Sequence, residues 1–558
     1  LTRFLAYART LWDWDEALFC LGMREFDVTR HQPHPPGFPL FIGLGKLFRL
    51  AIDSDFRALQ AVNAIASILL FPAVFLYARK LGVRFSTAVI AGALFAFFPN
   101  VWFFGGTAFS DVPSIVLVLF AVVFFLDEAR QPRKYFLGAF LLALAAGIRP
   151  QNILVGLFPG ALATYRRSAR DVAAAIVIGA VVSGIAYGAA IYATGGYDAY
   201  VRSNREHADY ISRVDSFRSP ERPALWRIWD RFFLKQYQFP PLSAVTSIFV
   251  VISIVGTIRG RDRVMLYNFL TFAPVAVMAW LMLDRYSINR FSIGYAPMFA
   301  LFAADGIARA ARGSEKREWA IGTALSVAFA VWAAPAFTAV RKEPAPTVQA
   351  VESLRRTIDP RRHTLYVGHS MTRFVDYLAP GLAYTRVLDD RALPLGDCRG
   401  CYLFSEVTQT KPRGRTFARE RGRLWNIARR HYFEIFLAPI EHLPRFVSGW
   451  YEAERSGSDE WRWMAEQSLT ELPPAPAEAV LRVVGYVPRE LIGATLTVKL
   501  NGVILERVRV TREEVWRDYE VTALGDGPNR LEMTSDLMIL RGGRPASLRV
   551  RFISLGQR

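Results

Sequence analysis

Six stretches between residues 58 and 340 contain no Asp, Glu, Lys or Arg: 58 to 78, 85 to 110, 172 to 197, 236 to 258, 264 to 283 and 319 to 340. At about 1.5 Å of rise per residue, roughly twenty such residues cross the hydrocarbon layer of a bilayer. In that layer every backbone N–H and C=O must be satisfied within the segment, which leaves the helix. Further runs are compound. Residues 112 to 126 follow Asp111, 135 to 165 are interrupted only by Arg149-Pro150, and 291 to 308 carry one acid, Asp305. The residue before a proline resists the α conformation, so 135 to 165 reads as two short helices meeting at Arg149. About ten spans are expected in all. A hydrophobic share of 52%, a mean hydropathy of +0.19, 41 Phe and 13 Trp agree, being too apolar for an ordinary soluble enzyme or a disordered chain.

The formal net charge of +19 raises nucleic acid as a partner. The basic residues instead follow membrane topology. Arg79/Lys80/Arg84, Arg130/Arg133/Lys134, Arg166/Arg167/Arg170, Arg259/Arg261/Arg263 and Arg309/Arg312/Lys316/Arg317 all fall on one side if the spans alternate, and that side reads as cytoplasmic. No compact basic module with interleaved aromatics is present, so no nucleic acid is expected. The amino-terminal loop, Asp111, Arg149, residues 284 to 290 and everything after 341 then face outward. Residues 198 to 235 read as an outward loop despite eight basic residues. Arginine far outnumbers lysine and alanine is abundant, the composition of a GC-rich bacterial gene, so the expected location is the bacterial inner (cytoplasmic) membrane.

The sequence divides into a transmembrane domain over 1–340, an α/β region over 341–445 introduced by Pro344 and Pro346, and a jelly-roll-like β-sandwich over 446–558. Leu365-Tyr366-Val367 and Tyr402-Leu403-Phe404 are the short apolar strands of the α/β region. In the third region Leu496, Val498 and Leu500 alternate with polar neighbours, Asn501-Gly502 supplies a hairpin turn, and Val508 and Val510 lie on the return strand. Further strands are expected at 481–487, 518–522 and 547–553. Trp450, Tyr451, Trp461 and Trp463 suit either a sandwich core or a sugar-stacking face. Cys398-Arg399-Gly400-Cys401 is a lone CxxC and reads as a local disulfide.

Three candidate clusters carry chemistry. Trp12-Asp13-Trp14-Asp15-Glu16 places three carboxylates ahead of His31 and His34-Pro35-Pro36-Gly37. Flanking tryptophans at a membrane face desolvate a carboxyl and suit it to act as a base, whereas the plainer reading makes the tryptophans an interfacial belt and the acids helix caps. Asp111 is the only ionisable group in its stretch; it is a functional acid at bilayer depth or an N-cap beside Ser110 and Pro113. Arg149, Arg285 and Arg290 stand alone on the outer side, suited to phosphate oxygens or to structural ion pairs such as Arg149 with Asp111.

Asp13-x-x-Glu16, then His34-Pro35-Pro36-Gly37-Phe38-Pro39-Leu40-Phe41, then Ala61-Val62-Asn63-Ala64-Ile65-Ala66-Ser67 resembles the GT-C membrane glycosyltransferases, in particular the protein O-mannosyltransferase-like branch. Arg285-Tyr286 ahead of Pro297 is similar to a motif of a late span in that family. The resemblance implies a polytopic α-helical GT-C fold that transfers a sugar from a polyprenyl-phosphate donor in the lipid bilayer to a protein or glycan acceptor, outside the membrane and with inversion. It implies Asp15 or Asp13 as general base, Glu16 as its partner or an acceptor-binding group, and Asp111 as a second acid. Arg149, Arg285 and Arg290 would hold the donor phosphate, and His31, His34 and Tyr286 would bind substrate. No cofactor is firmly expected; the Asp13-x-Asp15 spacing is compatible with a divalent cation. The family carries a membrane helix ahead of the acidic loop, where this sequence has only Leu1 to Trp12, so a further segment before Leu1 is expected. The rival readings are a transporter or flippase of a lipid-linked substrate, marked by paired repeats that are not evident here, and a non-catalytic envelope assembly protein.

Overall fold

A computed structural model describes residues 2–127, 132–165, 167–214, 216, 218, 224–235, 237, 239–281, 288–387, 400–406, 415–419, 433–440, 444–452, 454–456, 459–475, 478–522, 524 and 527–556. The chain separates into two compact units, divided between Ala345 and Pro346.

The first unit is helical. Its helices are α1 (Trp14–Arg24), α2 (Pro39–Arg49), α3 (Asp55–Lys80), α4 (Phe85–Phe97), α5 (Pro99–Phe104), α6 (Asp111–Leu126), α7 (Pro132–Ile148), α8 (Leu154–Tyr165) and α9 (Ala169–Ala193). They continue as α10 (Tyr197–Val214), α11 (Leu225–Trp229), α12 (Pro240–Gly260), α13 (Arg263–Leu281), α14 (Ile288–Phe291), α15 (Ala296–Ala310) and α16 (Glu315–Lys342). Five are long and apolar enough to cross a membrane: α3, α9, α12, α13 and the helix that starts at Glu315; α4 and α6 are shorter apolar helices. Serine hydroxyls start three of the long ones, Ser54 accepting from Arg57 N, Ser168 from Asp171 N and Ser314 from Arg317 N.

Two readings change. The charge-free run 85 to 110 is not one span: α4 stops at Phe97, Pro99 opens the short α5 at its first position, where a proline needs no N–H partner, and a turn leads into α6. Residues 198 to 235 are not simply a loop, because they hold most of α10 and all of α11. The step at Arg149 is as read: Arg149 is extended (φ −157°, ψ 100°) between α7 and a 3-10 turn, Pro150–Ile153, that leads into α8.

Helix α3 packs on α4 and α6, α7 on α6 and α9, and α15 on α4 and α12. Ion pairs tie the basic clusters together: Lys80 and Lys134 both meet Asp127, Arg84 reaches the buried Glu318 at 3.2 Å, and Arg309 joins Asp262 (2.7 Å) to Asp305 (2.6 Å). Residues Asp13, Asp111, Arg149 and Arg290 belong to the opposite helix ends.

The second unit begins with α17 (Pro346–Thr357), β1 (Thr364–Gly368), α18 (Thr372–Leu378), β2 (Thr385–Val387), β3 (Cys401–Glu406), β4 (Arg415–Ala418) and β5 (Glu434–Pro439). The sheet order is β2-β1-β3-β5-β4, with β1 parallel to β2 and β3 and the other pairs antiparallel. Cys401 is disulfide-bonded; Cys398 lies outside the described residues. A second sheet contains β6 (Arg445–Trp450), β7 (Glu454–Ser456), β8 (Asp459–Leu472), β9 (Glu478–Tyr486), β10 (Thr495–Leu500), β11 (Val503–Arg509), β12 (Glu514–Thr522), β13 (Asn529–Ser535) and β16 (Arg549–Gly556); β14 (Ile539–Arg541) and β15 (Arg544–Ala546) pair apart.

Strand β8 makes this sheet curl. Its far half, Gln467 to Leu472, pairs with β13, while Arg462 and Trp463 pair with β16. The two halves therefore face one another across one core, with Val498, Leu531 and Met533 from one and Leu481, Val483 and Val550 from the other. Asn501 (φ 52°) and Gly502 (φ 83°) make the turn between β10 and β11, the left-handed pair that such a hairpin requires. Trp463 is 3% exposed, and the indole N–H groups of Trp461 and Trp463 both donate to Glu454, so these rings are core.

Candidate active site

The site is built first from main-chain hydrogen bonds. Asp13 is the N-cap of α1, its carboxylate accepting from Asp15 N at 3.0 Å. Glu16 completes a capping box and goes further. Its Oε2 accepts from Trp12 N (2.6 Å) and Asp13 N (3.0 Å), while its Oε1 accepts from Ala108 N at 2.8 Å, ninety-two positions away. Burial pushes the Glu16 carboxyl up to about 8, with these N–H groups pulling the other way. Glu16 thus fastens the start of α1 to the turn ahead of α6.

Helix α3 secures the same turn. Gln60 Nε2 donates to Ala8 O (2.9 Å) and Gly106 O (2.7 Å), and Asn63 Nδ2 donates to Phe104 O and Thr107 O. A side chain at Gly106 would stand 1.9 Å from Ala6 O, so only glycine fits. The turn delivers Asp111 to the first position of α6.

These constraints bring four charges together. Arg290 ion-pairs with Asp15, and its Nε lies 3.9 Å from Asp111 Oδ2. Arg149 Nε is 3.3 Å from Asp111 Oδ1, and Arg149 Nη1 donates to Ser110 Oγ at 3.3 Å. Asp15, Asp111, Arg149 and Arg290 are each under a tenth exposed. Among the described residues two carboxylates and two guanidinium groups balance, which makes such burial tolerable. Aromatic faces line the cluster, with Arg290 over Phe109 (5.0 Å) and Arg149 over Phe38 (5.9 Å).

His34 Nδ1 lies 4.0 Å from Asp15 Oδ1. Burial, reinforced by His207, Arg290 and Arg149 against the pull of Asp15, holds its imidazole down to about 3, so it is neutral at ordinary pH. His31 is one step removed: its ring stands 5.8 Å from that of His207, which in turn lies 6.1 Å from that of His34. His207 arrives on α10, which is anchored to the first loop by Tyr200 Oη donating to Pro36 O (2.8 Å) and Ser203 Oγ to Val28 O (3.1 Å).

The structure therefore gathers Asp15, Asp111, Arg149, Arg290 and His34. It gives Asp13 and Glu16 to the main chain, the capping role weighed in the sequence. Arg285 and Tyr286 lie outside the described residues. Among the described residues no group of three or more His, Cys, Asp or Glu side chains is placed to hold a metal ion. Sequence reasoning missed His207 and Gln60, and read Ser110 only as part of a helix start. The signal for Gln60 was present, since Gln60, Asn63 and Ser67 are the only strongly polar groups of the charge-free run that becomes the body of α3.

The model for the family "Protein O-mannosyl-transferase TMEM260 N-terminal domain" matches residues 26–172. The chain also superposes on the crystal structure of ArnT from Cupriavidus metallidurans bound to undecaprenyl phosphate with a TM-score of 0.50 and 10% identity, covering 78% of this chain and 95% of that one. Residues 26–172 are thus similar to an O-mannosyltransferase amino-terminal domain, and the chain shares the fold of ArnT. The apo form of the same ArnT matches at TM-score 0.46 and 12% identity, over 70% of this chain and 84% of that one. Arabinofuranosyltransferase AftD from Mycobacteria matches at 0.40 and 12%, over 100% and 61%. No curated protein matches. The family match spans the part of the chain that holds His31, His34, Asp111 and Arg149; Asp15 precedes it and Arg290 follows it.

Proposed function

We propose that this protein is a GT-C glycosyltransferase that moves a sugar from a polyprenyl-phosphate carrier to a hydroxyl of a protein or glycan acceptor on the outer face of the cytoplasmic membrane, with inversion. The observation that carries the reading is the sharing of Arg290 between Asp15 and Asp111 in a buried, charge-balanced cluster. A fold shared with a protein crystallised with undecaprenyl phosphate supports the carrier class.

The donor phosphate enters beside Arg149 and Arg290 and competes with the carboxylates for their guanidinium groups. As Arg290 turns to phosphate, Asp15 is released from its ion pair and becomes a stronger proton acceptor. Asp15 takes the proton of the acceptor hydroxyl, whose oxygen attacks the anomeric carbon. The bond from that carbon to the phosphate oxygen breaks, and its electron pair leaves with the lipid phosphate, whose growing charge the two arginines stabilise. A single displacement inverts the centre. Base activation is thereby coupled to donor binding, and no step is routed through a divalent cation.

Asp15→Asn is the decisive variant. It keeps the size of the side chain and removes the base, so transfer from a polyprenyl-phosphate sugar in purified protein is expected to fall by at least about a hundredfold, with melting temperature changed far less. Full activity in Asp15→Asn would remove Asp15 from the chemistry.

A further inference from the structure

Strands β14 and β15 pair with each other and stand apart from both sheets of the second unit. Their register sets two faces. Ile539 lies opposite Ala546, Leu540 opposite Pro545 and Arg541 opposite Arg544, so successive pairs point to opposite sides. The inner side is braced. Ala546 is buried with Trp461 and Trp463, and Ile539 packs on the sandwich core. Arg541 lies over Trp463 (4.6 Å) and 3.8 Å from Glu454, and Arg544 lies over Tyr451 (5.8 Å). Tyr451 Oη also donates to Pro545 O at 2.7 Å, which ties the return strand down.

The outer side carries Leu540 and Pro545. Leu540 is 79% exposed, and Leu537 and Met538, just ahead of β14, are exposed as well. The turn at the tip is Gly542-Gly543, both at positive φ, and adds no side chain. The solvated face of a strand pair normally carries polar residues; this one is apolar. Its size disfavours a protein partner, since a stable protein interface takes roughly 20 to 30 residues a side. A bilayer asks less of a chain already anchored in it. Only Glu343, Pro344 and Ala345 separate α17 from the end of α16, the apolar helix that starts at Glu315, so even a weak insertion gains from a high effective concentration of lipid.

We propose that this hairpin is a lipid-binding hook. Leu537, Met538, Leu540 and Pro545 enter the interfacial layer of the bilayer, while Arg541 and Arg544 keep their stems on the rings of Trp463 and Tyr451 and their guanidinium groups at headgroup depth. The apolar side chains provide the attachment, which does not rest on the transfer chemistry.

The test places the fluorophore NBD on Leu540→Cys of the full chain in nanodiscs of phosphatidylethanolamine and phosphatidylglycerol. Val503→Cys is the control. It is also apolar and exposed, but its partner Leu500 sits level with Leu531, at the far end of β13 from Ser535, where the chain leaves for β14. Lipid carrying a nitroxide in the upper acyl chain is expected to quench the Leu540 label at least about twofold and to leave the Val503 label nearly unchanged. Adding Leu537→Asp and Met538→Asp to the labelled chain, both at exposed positions, should abolish that quenching and open the label to aqueous iodide, with the melting temperature near that of the parent. A Leu540 label quenched by iodide alone would overturn the proposal. So would a label shielded from both quenchers, which would mean that protein covers the face, equal lipid quenching at Val503, or quenching that survives both aspartates.

Discussion

Asp15 and Glu16 are adjacent in the sequence and do different work. Glu16 accepts three main-chain N–H groups and joins two segments of the first unit. In Glu16→Gln one acceptor oxygen becomes an NH2 that faces an N–H, at a cost of about 1–3 kcal/mol. The pH dependence has a definite sign. Burial raises the Glu16 carboxyl from 4.5 to about 8, so the native state keeps a proton that the unfolded chain releases. Its contribution is fully present below 4.5 and is lost as pH rises through about 8. The melting-temperature difference between parent and Glu16→Gln is therefore expected to narrow from about pH 5 to about pH 9; a difference independent of pH would contradict the protonated native carboxyl. The pair Arg149 and Asp111 is argued by the same logic of burial. Arg149→Met alone strands a buried carboxylate and is expected to cost about 3–5 kcal/mol. Joined with Asp111→Leu it should recover most of that loss, because Arg290 keeps Asp15 and the cluster stays neutral. If thermal melts show the two losses simply adding, the pair is not coupled.

At the level of elements, five of the six charge-free runs were legible as spans because burial in lipid forbids charge, and a charge-free run is visible without knowing what it packs against. Asn501-Gly502 was legible because its turn demands positive φ at both residues, and Arg149-Pro150 because proline constrains its predecessor. The interruption at Pro99 and helix α10 were not. Pro99 lies in a run apolar throughout, where hydropathy hides the break. In α10 the apolar residues Tyr197, Val201, Ala208 and Ile211 do keep helical spacing, but the eight basic residues of 198–235 drew the reading toward a loop. The division of duty among Asp13, Asp15 and Glu16 was illegible for another reason: it depends on where Ala108 N and Arg290 lie in space. The turn before α6 gives an element-scale prediction. In Gly106→Ala the new methyl meets the Ala6 carbonyl, a main-chain atom that cannot step aside, so the turn carrying Asp111 must move. A loss of about 1–3 kcal/mol is expected, together with most of the transfer activity. Gly184→Ala within α9 meets nothing within 4 Å and should melt as the parent does or slightly higher. Equal behaviour of the two alanines would show that the turn is not held as described.

For the whole molecule, the net charge of +19 acquires a spatial meaning. The basic clusters gather with Asp127, Asp262, Asp305 and Glu318 at one set of helix ends, and at the other set Arg149 and Arg290 pair with Asp111 and Asp15. The Lys and Arg of the first set lie in short connections between helices, the placement expected of connections kept in the cytoplasm. Arg312, between α15 and α16, belongs to that set and is exposed. Asp53, between α2 and α3, lies next to Asp55 at the opposite ends and is fully exposed. Single cysteines at the two positions separate the alternatives, because Cys20 is buried and Cys401 is disulfide-bonded, which leaves little background. Asp53→Cys is expected to react with a membrane-impermeant maleimide in intact bacteria with the outer layer opened, and Arg312→Cys only after the cytoplasmic membrane is permeabilised. The reverse pattern would put the buried carboxylates and their arginines on the cytoplasmic side. A donor phosphate would then have to reach Arg290 from within the cell, and the acceptor with it. The outward direction of transfer would fall even if Asp15 proved to be the base.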